Sequence, residues 1–477
     1  MSAEIERSVS ATPLVVVDAD KVHAAPKGEE AKKQRAERRA QSVEHAERWK
    51  QIGEAGGADA WVTQQLAQKG LLDGSAGVPD NETKAAYKER KKAEAKERRA
   101  LKKLVWLAYR ATHVAHLGAG VYYRDDEEER LDEKEARQLR AKGNDLDLET
   151  ADALAQRLGV SLPQLRWLSF HRDVQEHSHY HIWTIPKRDG SRRTITAPKP
   201  ELKAAQRWLL RNVVEKLPVH HAAHGFLAAR SIVSNALAHA GADVVVKIDV
   251  KDFFPTISFR RVKGLLRKGG LPENVATICA LLATEPPRDV VTFRNKTLYV
   301  ARGPRALPQG APTSPGITNA ICVRLDRRLS GLARQLGFTY TRYADDLTFS
   351  YRAAKGQDKR PPVGALLHGA KTILRAEGFR VHDKKTTVMR AGMSQRVTGL
   401  VINKAEGAPA ARVPRDVVRR LKAAIFNREH GKPGKEGESL AELKGMAAFI
   451  HMADPKRGRG FLDRITALEK RAAAAAG

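Results

Sequence analysis

The sequence predicts an α+β fold, and three patterns carry that expectation. Apolar runs with strand period or strand composition recur, among them Asp243-Val-Val-Val-Lys-Ile-Asp249, Phe338-Thr-Tyr-Thr-Arg-Tyr343 and Leu347-Thr-Phe-Ser-Tyr351. Longer stretches of helical character separate them, at 201–216 and from Ser314 to Gly337. A Lys-, Arg-, Glu- and Ala-rich N-terminal portion adds strong helix formers without strand patterning. The 477 residues suffice for two or three domains. Lys and Arg number 85 against 55 Asp and Glu, a formal net charge of +30. Such a field attracts polyanions and makes phosphate binding steeply salt-dependent. Charge alone fits a ribosomal or chromatin protein equally well, so it selects nucleic acid without selecting a reaction.

Residues 1–145 read as a basic, mostly helical and partly disordered extension. Charged stretches lie near 29–50 and 82–110, the second showing little apolar face before Leu101, Leu104 and Val105. The Gly-rich stretch 53–77 between them reads as a linker, and the acidic cluster Asp125-Asp-Glu-Glu-Glu129 marks another. A solvated charged helix, a disordered arm and an RNA-contacting arm all fit this composition. Pro13-Leu-Val-Val-Val17 has no basic segment before it, which argues against a signal peptide. No run approaches the roughly 20 apolar residues of a membrane span. Two cysteines, Cys279 and Cys322, build neither a disulfide framework nor a zinc site, and a reducing cytoplasm is the expected compartment.

From 146 the sequence turns globular. Leu148 to Leu168 reads as two short helices joined at Gly159-Val-Ser161, and His181 to Thr196 as a hairpin turning at Asp189-Gly190. Basic residues crowd that turn. A C-terminal segment running to 470 reads as helical, with a basic Gly-rich loop at Lys456-Arg-Gly-Arg-Gly460. His177, His179 and His181 alternate on one strand-like stretch, and His220, His221 and His224 crowd another. With no matching carboxylate or cysteine set they read as core or nucleic-acid-facing residues rather than zinc ligands.

The chemistry concentrates in three motifs. Asp249 ends one strand run and is followed by Phe253 and Phe254; Tyr343-Ala344-Asp345-Asp346 lies between two others, as a turn lies in a hairpin. Two strands of one sheet would bring the three carboxylates together at the sheet's edge. Carboxylates so clustered repel unless hard cations neutralise them, and two divalent ions about 4 Å apart stabilise an in-line phosphoryl transfer. Between them stands Leu307-Pro-Gln-Gly-Ala-Pro-Thr-Ser-Pro315. Gly310 and Ala311 allow close backbone approach to a ligand, Gln309 offers a donor and an acceptor, and Ser314-Pro315 reads as the N-cap and first residue of a helix.

This order of motifs resembles the palm and fingers of reverse transcriptases. Asn235-Ala-Leu-Ala-His239 before the Asp249 strand, and Val397-Thr398-Gly399 after the acidic hairpin, narrow the resemblance to bacterial retron reverse transcriptases, over roughly 146–470. The resemblance implies a right-hand polymerase: fingers and the start of the palm in 146–242, palm in 243–410, and a helical thumb that recognises RNA in 411–477. It implies that Asp249, Asp345 and Asp346 bind two Mg²⁺ ions, with Mn²⁺ a substitute, and that the Val250 carbonyl assists. Phe254 becomes the gate against a ribose 2′-hydroxyl, while Gln309 and Gly310 position nucleotide and template. Lys187 and Arg193, with Arg192 the alternative, clamp the triphosphate; Lys384 or Lys385 is a candidate general acid toward pyrophosphate. Asn235, His239, Val397, Thr398 and Gly399 are the family signature, tied to RNA recognition. The implied partners are deoxynucleoside triphosphates, a cognate structured non-coding RNA, its single-stranded DNA product and a separate effector protein in anti-phage defence. In this family the DNA starts on the 2′-hydroxyl of an internal guanosine. An intron maturase, a diversity-generating enzyme and a non-catalytic RNA-binding protein are the competing readings. The intact acidic triad argues against the last, and the short segment after the thumb against the first.

Overall fold

The computed structural model describes residues 43–72, 83–123, 148–187, 190–353, 360–404, 410–432 and 438–476. Pro13–Val17, the 29–42 part of the first charged stretch, the Asp125–Glu129 cluster and Asp189 of the expected turn lie outside them. The chain forms two compact units, Met1–Ala115 and His116–Gly477.

In the first unit a helical segment over 43–54 is followed by α1 (Ala58–Gln68) and α2 (Lys84–Thr112). The linker expected at 53–77 is therefore corrected over its described part: Gly56 and Gly57, both at positive φ, only turn the chain between two helices. Trp61, Val62 and Leu66 of α1 are buried with Ile52, Leu101 and Ala108 in one small core. Glycines at a turn outweighed an apolar stripe in the reading of composition. The side chain of Thr83 caps α2 by accepting from Ala86 N.

The second unit opens its globular part with α3 (Ala151–Leu158) and α4 (Leu162–Ser169), capped by Thr150 and Ser161 and separated at Gly159, φ +70°. β1 (Val174–Gln175) leads to the hairpin β2 (Tyr180–Pro186) and β3 (Arg192–Pro198), with Tyr180 opposite Pro198 and Pro186 opposite Arg192. α5 (Pro200–Asn212) and the short α6 (Ile232–Leu237) follow. β4 (Val244–Lys251) is next, and Val244, Val245, Val246, Ile248 and Val250 are all buried. Both faces of β4 are covered over Val244–Val246, where the apolar run is continuous, and alternation begins at Lys247. Each such side chain contributes about 1.5–3 kcal/mol.

After α7 (Phe259–Lys268) and α8 (Glu273–Ala283), β5 (Arg288–Phe293) and β6 (Lys296–Ala301) join β1 in a three-stranded sheet. The helix expected to run from Ser314 to Gly337 is two: α9 (Thr313–Ile321) and α10 (Val323–Gln335), parted at Cys322. Ser314 is not its cap. It lies inside the first turn, where its buried hydroxyl donates to the Pro308 carbonyl at 2.8 Å, and Pro315 is tolerated because first-turn N–H groups lack helical partners anyway. β7 (Phe338–Tyr343) and β8 (Asp346–Tyr351) complete the acidic hairpin. With α11 (Val363–Ala376), β9 (Arg380–Val381) and β10 (Thr387–Arg390) in place, the main sheet has the order β10-β4-β8-β7, β9 pairing with the end of β4.

A small hairpin, β11 (Arg396–Val397) with β12 (Leu400–Val401), precedes α12 (Arg415–Glu429), α13 (Leu440–Ala453) and α14 (Pro455–Ala476). Lys456–Gly460 is not a loop but the first turns of α14. Gly458 is there for contact: a Cβ would overlap the His451 backbone of α13. These helices share one core with Val245, Val397 and Leu400, so the C-terminal segment is packed onto the main sheet through the Val397–Gly399 hairpin.

Candidate active site

Antiparallel pairing sets Asp249 of β4 opposite Asp346 of β8, and Tyr343 opposite Asp346 across the hairpin. Ala344 and Asp345 are left as a two-residue loop. Ala344 has φ +55°, the sign that primed two-residue turns require at their first position and one an alanine adopts only under strain. Val250 N donates to the Asp345 carbonyl at 3.0 Å, binding the loop to β4. Because β4 and β8 are central strands, the acids stand at strand ends in the middle of the sheet, not along its edge. Burial, then repulsion from Asp249 and Asp346, holds the Asp345 carboxyl above its ordinary range. Lys385 Nζ lies 3.2 Å from Asp249 and Lys247 Nζ 3.2 Å from Asp346. Of the two lysine candidates, then, Lys385 is the one at the acids. Among the described residues no three His, Cys, Asp or Glu side chains form a ready metal cage. The donor chemistry nonetheless fits hard divalent cations: carboxylate oxygens, mutually repelling, already drawing ammonium groups.

The support beneath the loop was not anticipated. Arg342, fully buried, makes a forked pair with Asp326 of α10 at 2.8 Å from both Nε and a terminal nitrogen, and donates to Asn319 Oδ1 at 3.0 Å. Burial opposes its charge, but Asp326, Cys322 and Tyr340 together outweigh burial and the guanidinium stays ionised. Asn319 also donates to the Gly225 carbonyl at 2.9 Å. A Cβ on Gly225 would come 2.8 Å from Ala344 N, so only glycine lets this segment seat against the strained loop. A charged residue inside an otherwise uncharged strand is the available signal.

The two signatures meet in space. His239 Nε2 lies 2.7 Å from Thr341 Oγ1 and Nδ1 2.6 Å from Ser350 Oγ, while Thr341 Oγ1 donates to Asn235 Oδ1 at 2.6 Å. Thr341 has one proton and gives it to Asn235, so Nε2 carries the imidazole proton and Nδ1 accepts from Ser350. Burial, then His224, pushes the His239 pKa down to about 3, keeping the ring neutral. One histidine thus bridges both strands of the acidic hairpin. Thr398 and Gly399, φ +45° and +86°, form the loop between β11 and β12, and Thr398 Oγ1 donates to Ile232 O at 2.8 Å, on the helix that carries Asn235. Asn235, His239 and Val397 are fully buried, so any part they take in RNA recognition is indirect.

Of the nucleotide-binding candidates, Gln309 and Gly310 lie against strand β3, which carries Arg193. The Gln309 carbonyl accepts from Thr196 N of β3 at 2.7 Å. Gly310, φ +124°, lies where a Cβ would be 3.0 Å from Thr196 O and 3.2 Å from the Ile195 side chain. Strand alternation puts Arg193 on the face of Ile195, toward this loop. Arg192 faces the other way and donates to Thr184 Oγ1 at 2.7 Å. Lys187 is exposed at the end of β2. Phe254 is half-buried, its ring 6.5 Å from that of Phe226, which in turn lies 6.4 Å from Tyr343. Phe226, at positive φ and 55 % exposed, escaped sequence reasoning because it lies in no motif.

Residues 185–412 match the family model of reverse transcriptase (RNA-dependent DNA polymerase). Fold and match together define the class, an RNA-directed DNA polymerase. The chain is 61 % identical over 461 residues to the retron Mx162 reverse transcriptase of Myxococcus xanthus, covering 94 % of each. It is 43 % identical to the retron Mx65 reverse transcriptase of the same organism, over 65 % of this chain and 69 % of that one. The retron Ec86 reverse transcriptase of Escherichia coli is 32 % identical over 65 % of this chain and 87 % of its own. The chain belongs to the retron reverse transcriptases. No helix among the described residues is long and apolar enough to cross a membrane.

Proposed function

We propose that this enzyme copies part of a cognate structured RNA into single-stranded DNA, starting from the 2′-hydroxyl of an internal guanosine. The observation that carries the catalytic part is the register that pairs Asp249 with Asp346 and leaves Asp345 in the loop beside them. In this reading 146–242 are fingers and early palm, 243–410 palm, 411–477 an RNA-recognising thumb, and 1–145 a basic extension. Asp249, Asp345 and Asp346 hold two Mg²⁺ ions, or Mn²⁺, which when bound stabilise the attacking and leaving oxygens of phosphoryl transfer. Lys385 is placed to move from Asp249 and protonate the leaving pyrophosphate, and the Val250 backbone flanks the site. Lys187 and Arg193 grip the triphosphate from the hairpin that Gln309 and Gly310 tie to the palm. Chelating divalent cations is expected to stop extension of a primed RNA template while the RNA stays bound; synthesis that survives chelation defeats the metal assignment.

Phe254 selects the sugar. Phe254→Ala opens the space a 2′-hydroxyl would occupy, so ribonucleotide incorporation should rise at least about tenfold relative to deoxyribonucleotide, a difference of about 1.4 kcal/mol. The ratio of kcat/KM values is the measurement, since both fall in absolute terms if packing loosens. An unchanged ratio reduces Phe254 to packing against Phe226 and Phe253. The defence role and its separate effector rest on the family resemblance alone, whereas a cytoplasmic location rests on the two free cysteines, both buried.

A further inference from the structure

Helix α2 of the first unit carries eleven Lys and Arg against three Glu over its 29 residues. The charges are not spread evenly. At 3.6 residues per turn Lys88, Lys92, Arg99, Lys102, Trp106 and Arg110 fall on one face, and all six are exposed. The stripe is about 33 Å long at 1.5 Å per residue. None of the three acids lies on it. Glu94 is engaged off the stripe by Arg98 and Lys91, at 2.8 and 2.9 Å, and Glu97 by Lys69 just past the end of α1. The opposite face buries Leu101 and Ala108.

At its C-terminal end the stripe meets stacked rings. Trp106 lies against Tyr109 with planes 17° apart and centroids 5.8 Å apart, and Tyr109 against His113 at 10° and 4.2 Å. Trp49 packs edge-on to both Tyr109 and His113, fixing the ladder from behind. Trp106 is the outermost rung and remains 51 % exposed.

We propose that this face of α2 binds unpaired RNA, the phosphates along the basic stripe and a base on the outer face of Trp106. A rigid ladder ending in an open indole is a stacking platform, and base–aromatic stacking needs a base that is not already paired. A membrane-surface helix would instead present several large apolar side chains opposite its basic face, whereas here Trp106 is the one large exposed apolar residue of α2. RNA is chosen over DNA on the reading above, in which the enzyme holds its RNA before any DNA exists.

The test uses the full-length protein and a 4-thiouridine-labelled oligouridine of about 20 nucleotides, with crosslinks mapped to peptides and titrated. The readout is occupancy of the α2 peptide rather than DNA synthesis, so it stands or falls separately from the polymerase reading. Crosslinks are expected at the Trp106–Tyr109 peptide. Trp106→Ala should weaken binding there about tenfold, and Trp106→Phe, which keeps a ring, much less. Arg99→Gln with Lys102→Gln, both exposed and harmless to folding, should reduce the salt slope by about 1.4, two contacts at about 0.7 each. The proposal is overturned by an absence of crosslinks in α2, by an Ala variant that binds like wild type, or by equal or tighter binding of paired RNA or single-stranded DNA of the same sequence.

Discussion

Asp345→Asn is expected to lower DNA synthesis on a primed RNA template by at least about a hundredfold while RNA affinity stays within about twofold. A ligand that helps hold divalent cations stabilises the transition state by several kcal/mol, and each 1.36 kcal/mol is tenfold in rate. RNA affinity is spread over many basic residues, so one carboxylate in a loop adds little to it. The substitution preserves shape, and the backbone bond from Val250 N to the residue-345 carbonyl does not depend on the side chain. Stability supplies an internal control. Because the folded state raises the Asp345 pKa, its ionised form is disfavoured there, and at pH 7 that charge opposes folding. The Asn variant should therefore melt no lower than wild type without divalent cations. Mg²⁺ should raise the wild-type Tm more than the variant's, by mass action on the folded state. Residual synthesis within about tenfold of wild type, in a variant that melts normally, would remove Asp345 from the metal site.

The parts of this site that could be read from the chain are those set by local period. Alternation in Phe338–Tyr343 and Leu347–Tyr351 leaves Ala344-Asp345 as the only place for a turn, and the continuous apolar run Val244–Val246 marks a strand covered there on both faces. What escaped depends on partners distant in sequence. Nothing around Arg342 announces Asp326, and the Asn235–His239 segment gives no hint that its imidazole spans to Thr341 and Ser350. Glycine misled twice for one reason. Gly56-Gly57 suggests a linker and Gly458-Gly460 a loop, whereas the first pair turns the chain between packed helices and Gly458 permits backbone contact between α13 and α14. Composition reports that a residue is small; only the neighbour shows whether its smallness is used for motion or for proximity.

Given only its own RNA, Mg²⁺ and deoxynucleotides, the enzyme is expected to make DNA with no added primer, the first nucleotide joined 2′–5′ to an internal guanosine. No new chemistry is needed at the acids. The attacking group is a hydroxyl in either case, and the demand is that a folded RNA hold that hydroxyl in line with the α-phosphate. Fixing a reactant so is worth effective molarities of about 10⁵–10⁸ M, enough to favour one internal hydroxyl over any 3′ end in solution. The coupling of the Thr398–Gly399 loop to the helix bearing Asn235, and of His239 to Thr341 and Ser350, links the core beneath the C-terminal helices to the strands that carry the acidic hairpin. RNA seated on those helices would thereby be registered against Asp249, Asp345 and Asp346. A debranching nuclease specific for 2′–5′ linkages should release the DNA and shift it on a denaturing gel. Replacing the guanosine should stop initiation while extension of a supplied primer continues. A product that forms only when a 3′-hydroxyl primer is added would refute this mode of initiation and leave a primer-dependent reverse transcriptase in its place.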